Sequence, residues 1–173
     1  AIEVEAGNPN YSALGGILYN KDRTTLIQVP VKTESKELAP GLKTIGYRAF
    51  YNTEDFNVVN IPSSVDSIGA NAFEVAAVTQ LNIPVQSSLR VIGTDAFKGL
   101  VGVTEVNIPA TVTKIGDGAF GNLMALENIY VYSLVPVDIA ENVFSGVDKD
   151  ECVLHVPAGS LAVYKAHAVW GTF

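Results

Sequence analysis

Apolar positions along this chain gather in short clusters that return every 23 or 24 residues. The pattern Ile-Gly-x-x-Ala-Phe runs from Ile45 to Phe50, Ile68 to Phe73, Ile92 to Phe97 and Ile115 to Phe120, with a degenerate fifth copy from Ile139 to Phe144. The leading isoleucines stand at 45, 68, 92, 115 and 139, spacings of 23, 24, 23 and 24. Self-similarity at so constant a period marks a solenoid, in which each repeat is one coil of a stack.

A second cluster keeps the same beat. Val59-Asn60-Ile61-Pro62, Leu81-Asn82-Ile83-Pro84 and Val106-Asn107-Ile108-Pro109 each read apolar, polar, isoleucine, proline. Looser copies are Ile27-Gln28-Val29-Pro30, Ile129-Tyr130-Val131 and Leu154-His155-Val156-Pro157, and Ile2-Glu3-Val4 would be a seventh. Alternation over so short a run predicts a strand with one buried face, favoured by the β-branched residues. Proline then closes it, having no N–H to give to a ladder. The glycine after each isoleucine is expected at a bend with φ > 0 or at a close backbone contact. Between that glycine and the phenylalanine only a helical or 3₁₀ turn fits, with the phenylalanine directed inward. Each coil then adds a like layer, such as Val65, Ile68, Ala72 and Phe73, or Val112, Ile115, Ala119 and Phe120. One flat coil cannot bury enough apolar area to offset the entropy of ordering its own residues, so stability must come from contacts between neighbouring coils and from caps at the ends.

The beat fails at three places. From Pro30 to Pro62 it stretches to 32 residues, which puts about nine extra residues around Lys32 to Pro40, a polar surface loop. Ahead of it, Gly16 to Tyr19 and Thr25 to Ile27 flank the polar turn Asn20-Lys21-Asp22 as a hairpin. After Pro157, Ser160 is placed to cap a short helix bearing Leu161, Tyr164 and Ala168 on one face, and with Trp170 and Phe173 it would plug the open end of the stack. The expected organisation is one domain over 1–173: irregular N-terminal coils with a hairpin at 1–44, regular repeats at 45–157 and a C-terminal cap at 158–173. Ile2-Glu3-Val4 would enter as a strand without a cap, which leads us to expect further repeats before it unless the hairpin closes that end.

Composition narrows the chemistry. A hydrophobic fraction of 48% with 17% charged residues is that of a folded domain, and no apolar run approaches the roughly 20 residues of a membrane span. A net charge of −7 disfavours nucleic acid, whose affinity comes from Lys and Arg. The single cysteine, Cys152, excludes an internal disulfide and reads as a small apolar residue. It stands three residues before His155, so on an extended strand the two side chains face opposite ways and form no catalytic pair. His167, the other histidine, falls on the cap helix beside Lys165. Asp148, Asp150 and Glu151 are the tightest acidic cluster, but they lack the EF-hand spacing and read as a solvated turn. The glycines form no phosphate-binding or dinucleotide fingerprint. No catalytic residue, metal site or cofactor is assigned, and an enzyme is not expected.

The Ile-Gly-x-x-Ala-Phe and Val-Asn-Ile-Pro motifs resemble the BspA-like leucine-rich repeats, and the resemblance spans essentially the whole chain. The flanking segments Gly7 to Ser12, Gly16 to Asp22, Val156 to Ser160, Tyr164-Lys165 and Trp170 are similar to that family as well. Many members carry cysteine three residues after the phenylalanine, where this chain has Thr53, Ala76, Leu100, Leu123 and Val147. The resemblance implies a leucine-rich-repeat solenoid of the α/β class, rich in β, built of coils with a short parallel strand and a 3₁₀ or helical turn. It also implies a secreted or cell-surface bacterial protein that adheres to host matrix or cell-surface proteins; we expect a non-catalytic monomer. The alternative is a spacer or accessory region of a larger surface protein, one that handles glycans.

Stacking supplies the candidate site. The residue between the two inward positions of each strand points outward, so Gln28, Asn60, Asn82, Asn107, Tyr130 and His155 are expected to align as one column on an exposed sheet face. Amides with Tyr and His suit a protein loop or a glycan, and the two aromatic positions would anchor a ligand.

Overall fold

The computed structural model describes residues 1–33, 37–54 and 56–173. Part of the expected loop at Lys32 to Pro40, residues 34–36, lies outside the described residues. The chain opens on three antiparallel strands, β1 (Tyr11–Leu14), β2 (Ile17–Asn20) and β3 (Thr25–Gln28). The expected hairpin is β2 and β3. Each coil then gives two strands: β4 (Thr44–Ile45) and β5 (Val58–Asn60), β6 (Ser67–Ile68) and β7 (Gln80–Asn82), β8 (Val91–Ile92) and β9 (Glu105–Ile108), β10 (Lys114–Ile115) and β11 (Asn128–Val131). The fifth coil has only β12 (Val153–His155).

The isoleucine of each Ile-Gly pair therefore ends a strand of its own, which the sequence reading assigned only to the second motif. These strands run parallel in a seven-stranded sheet ordered β1-β2-β3-β4-β6-β8-β10, with Ile45, Ile68, Ile92 and Ile115 in register. The strands of the second motif form two further parallel sheets, β5-β7 and β9-β11-β12. Ile2 to Val4 forms no strand; its one backbone bond in the ladder region is from Ile2 N–H to Gly16 C=O, 2.9 Å.

Between the sheets, Phe50, Phe73, Phe97, Phe120 and Phe144 stack in one row, successive centroids 4.4, 5.4, 5.5 and 5.3 Å apart and rings within 20° of parallel. Phe56 meets Phe50 edge-on at one end, and Trp170 and Phe173 meet Phe144 edge-on at the other. Thr53, Ala76, Leu100, Leu123 and Val147, the places of the family's cysteine, are all buried beside this row.

The segment after each glycine is more than a 3₁₀ turn. Ala49 and Tyr51 N–H close local bonds to Gly46 and Arg48 carbonyls, whereas Arg48, Phe50 and Asn52 N–H donate across to the Ala70, Ala72 and Glu74 carbonyls of the next coil, respectively. Left-handed residues recur at two places in this segment: Arg48, Asn71, Asp95 and Gly118, then Asn52, Val75, Gly99, Asn122 and Gly146. The glycines of the motif itself are not left-handed. A Cβ on Gly69 would sit 2.9 Å from the Gly46 carbonyl carbon, and one on Gly93 would sit 2.6 Å from Ala70 N, so these glycines let one coil lie directly on the next. Ala140 replaces glycine in the fifth copy, and there the ladder ends at β10.

The cap comprises helix α1 (Leu161–Ala166) and a 3₁₀ turn at Trp170–Thr172. Two side chains tie it to the loop after β11: Tyr164 Oη donates to Ser133 C=O at 3.0 Å and Trp170 Nε1 to Val137 C=O at 2.8 Å. Its buried residues are Tyr164, Val169 and Trp170, whereas Leu161 and Ala168 are exposed, because the helix ends at Ala166 and the chain turns inward only after it. Ser160 precedes the helix but makes no side-chain cap; its hydroxyl donates to Pro157 C=O instead.

Candidate ligand-binding face

Alternation on the second-motif strands turns Val59, Leu81, Val106 and Ile129 inward and leaves their neighbours on an outer face. Register places Asn60 beside Asn82, and Asn107, Tyr130 and His155 side by side. The expected column is thus present in two segments, Asn60-Asn82 and Asn107-Tyr130-His155. Gln28 does not belong to it: β3 pairs with β2 and β4 in the other sheet, and the Gln28 amide donates to Val29 C=O. The hairpin draws this strand to the isoleucine sheet, although its sequence resembles the second motif.

The aromatic end is ordered by side-chain contacts. The Tyr130 and His155 rings stack 4.2 Å apart at 11°, and His155 Nε2 lies 2.9 Å from Asn128 Oδ1. Tyr132 Oη donates to Asn107 Oδ1 at 3.0 Å. Together Tyr130, Tyr132, His155, Val156 and Pro157 line a hollow of about 270 Å³. Tyr132, one residue past β11 where other coils have proline, was missed by the sequence reading; its place in the proline column is the signal that could have found it.

The amide end differs. Asn82 Nδ2 donates to Asn60 Oδ1 at 2.7 Å and Gln80 Nε2 to Asn82 Oδ1 at 3.3 Å. Next to it, between β7 and β9, no strand pairing forms. Phe73 is followed by its strand residue Leu81 after eight positions, against nine for Phe50 to Val59, Phe97 to Val106 and Phe120 to Ile129. The return to Ile92 is correspondingly longer, eleven positions against nine from Val59 to Ile68, and β7 still pairs in register with β5.

Cys152 is buried, and its thiol is pushed up to about 11, first by burial and then by the Asp148 carboxylate. Such a thiol is a poor nucleophile. Asp148 accepts from the Asp150 N–H across a turn, 3.2 Å.

Stacked coils with an inner row of phenylalanines and a parallel strand on each coil define a leucine-rich-repeat solenoid. The chain belongs to the BspA-type leucine-rich-repeat family, whose repeat-region pattern matches six copies over residues 30–149. Its fold is similar to that of a leucine-rich cell surface protein of Faecalibacterium prausnitzii (TM-score 0.75, 24% identity, 92% of this chain and 42% of that one). It is also similar to the pneumococcal vaccine antigen PcpA (TM-score 0.74, 20% identity, 95% and 47%) and to a leucine-rich-repeat protein of Eubacterium ventriosum (TM-score 0.51, 26% identity, 81% and 32%). The chain spans less than half the length of each of these solved chains. No curated protein matches the sequence. Among the described residues no helix is long and apolar enough to cross a membrane.

Proposed function

We propose that this chain is a non-catalytic recognition module of a secreted or cell-surface bacterial protein, and that residues 1–173 act as one monomeric domain holding a protein ligand, such as a host matrix or cell-surface protein, on its outer strand face. The observation that carries the reading is the aromatic end of that face: Tyr130 and His155 stacked, Tyr132 tethered to Asn107, and a hollow beside them. Aromatic side chains around a hollow are the usual anchors of protein interfaces. Asn60, Asn82 and Asn107 would supply adaptable hydrogen bonds along the same face. The descriptions of the structural neighbours as a cell surface protein and a vaccine antigen support the location. That the chain spans under half of those neighbours favours a second reading, in which it is a spacer or glycan-handling accessory region of a longer protein.

The test is capture from an extracellular-matrix extract by the intact chain, followed by affinity measurement on the captured protein. Tyr130→Ala with His155→Ala is expected to weaken binding at least tenfold while leaving the melting temperature within a few degrees. Undiminished affinity in that double variant removes the aromatic end as the anchor.

A further inference from the structure

The seam between β7 and β9 opens a second hollow on the same face, of about 390 Å³, lined by Thr79, Gln80, Leu81, Asn82, Thr104 and Glu105. Apart from Leu81, which is buried, every lining residue brings a hydroxyl, an amide or a carboxylate, and none is cationic. Their mutual bonds use only part of what they offer. Gln80 donates to Asn82, Asn82 donates to Asn60, Asn107 Nδ2 donates to Glu105 Oε1 at 3.2 Å and Thr79 Oγ1 donates to Asn57 C=O at 3.3 Å. The Gln80 carbonyl, the second Glu105 oxygen, the Thr104 hydroxyl and the Asn60 amide nitrogen keep their hydrogen-bonding capacity, with no side-chain partner among the described residues.

We infer that this cleft is a subsite for a neutral oligosaccharide. A sugar hydroxyl donates and accepts at once, and neighbouring hydroxyls of one ring match the paired donor and acceptor of an Asn or Gln amide. Glu105 is held in place by Asn107, whose Oδ1 in turn accepts from Tyr132 Oη, so the cleft wall is braced from the aromatic end of the face. Charge selects against acidic saccharides: Glu105 lines the cleft without a cation beside it, and the chain carries a net charge of −7. The proposal shares the outer face with the protein-binding reading but stands on different anchors, Gln80 and Glu105 in place of Tyr130 and His155.

The test titrates the intact chain by NMR and calorimetry with free cellotetraose, maltotetraose, mannotetraose and tri-N-acetylchitotriose, and with sialyllactose and a heparin tetrasaccharide as acidic probes. At least one neutral probe is expected to bind saturably, and the acidic probes at least tenfold more weakly. Gln80→Ala with Glu105→Ala is expected to reduce that affinity at least tenfold with an unchanged melting curve, while Tyr130→Ala with His155→Ala leaves it unaltered. Failure of all four neutral probes, preference for an acidic one, or binding that survives loss of Gln80 and Glu105 overturns the proposal. Sugar binding lost with Tyr130 and His155 instead also overturns it, moving the sugar to the aromatic hollow; a matrix protein still captured through Tyr130 and His155 leaves the broader recognition role standing.

Discussion

Replacing Gly93 by alanine puts the stacking of coils to a direct test. The added methyl would stand 2.6 Å from Ala70 N, 2.7 Å from the Gly69 carbonyl carbon and 2.9 Å from its oxygen, all backbone atoms of the coil above. Ordinary contact begins at 3.4 Å, so the two coils must part by about 0.8 Å at this point. The Gly93 N–H to Ile68 C=O bond, 2.9 Å in the intact stack, stretches by a similar amount and is lost. One or two ladder bonds at about 1 kcal/mol each, with about 1–3 kcal/mol for overpacking, give a destabilisation of about 3 kcal/mol. Gly41→Ala is the control: its Cβ meets nothing within 4 Å, and its φ of +80° costs only the strain of a left-handed alanine, about 1–2 kcal/mol. Urea unfolding followed by far-UV circular dichroism gives both values. A Gly93→Ala chain within 1 kcal/mol of the parent, or more stable than Gly41→Ala, would refute the close-stacking account.

Two further outcomes follow from the same geometry and from burial. Val75 is a β-branched residue at φ +50°, 49% exposed, where the neighbouring coils have Asn52, Gly99, Asn122 and Gly146; Val75→Asn should therefore stabilise the chain by about 1 kcal/mol and raise the melting temperature by about 2–4 °C in a thermal scan. Because burial and Asp148 raise the Cys152 thiol from 9.0 to about 11, the unfolded chain ionises first as pH climbs. Stability should hold below pH 9 and decline from there towards pH 11, Cys152→Ala should flatten the decline until Tyr19 and Tyr164, also raised by burial, begin to titrate, and Ellman's reagent at pH 8 should react only after denaturant is added.

What could be read from the chain alone follows from which side chains repeat. The phenylalanines and the Val-Asn-Ile-Pro strands stand out because each coil must bury the same large groups. The isoleucine strands escaped notice, since two residues such as Ser67-Ile68 show no alternation. Left-handed sites at Arg48, Asn71 and Asp95 were hidden because three different residue types fill one position, although Asn, Asp and Gly there are a signal. Gln28 misled because its local pattern fits one sheet while its hairpin partner commits it to another. The missing residue between Phe73 and Leu81 shows only when the intervals within each coil are compared, and because β7 still pairs with β5 it does not by itself mark the seam beside β9.

The row of parallel phenylalanines has a consequence for how such a protein changes over generations. Every inner ring meets a ring above and a ring below in nearly the same way, so duplication or loss of one whole 23- or 24-residue unit rebuilds the junction it disturbs. Array length and outward decoration can then vary separately, one by recombination and the other by point substitution.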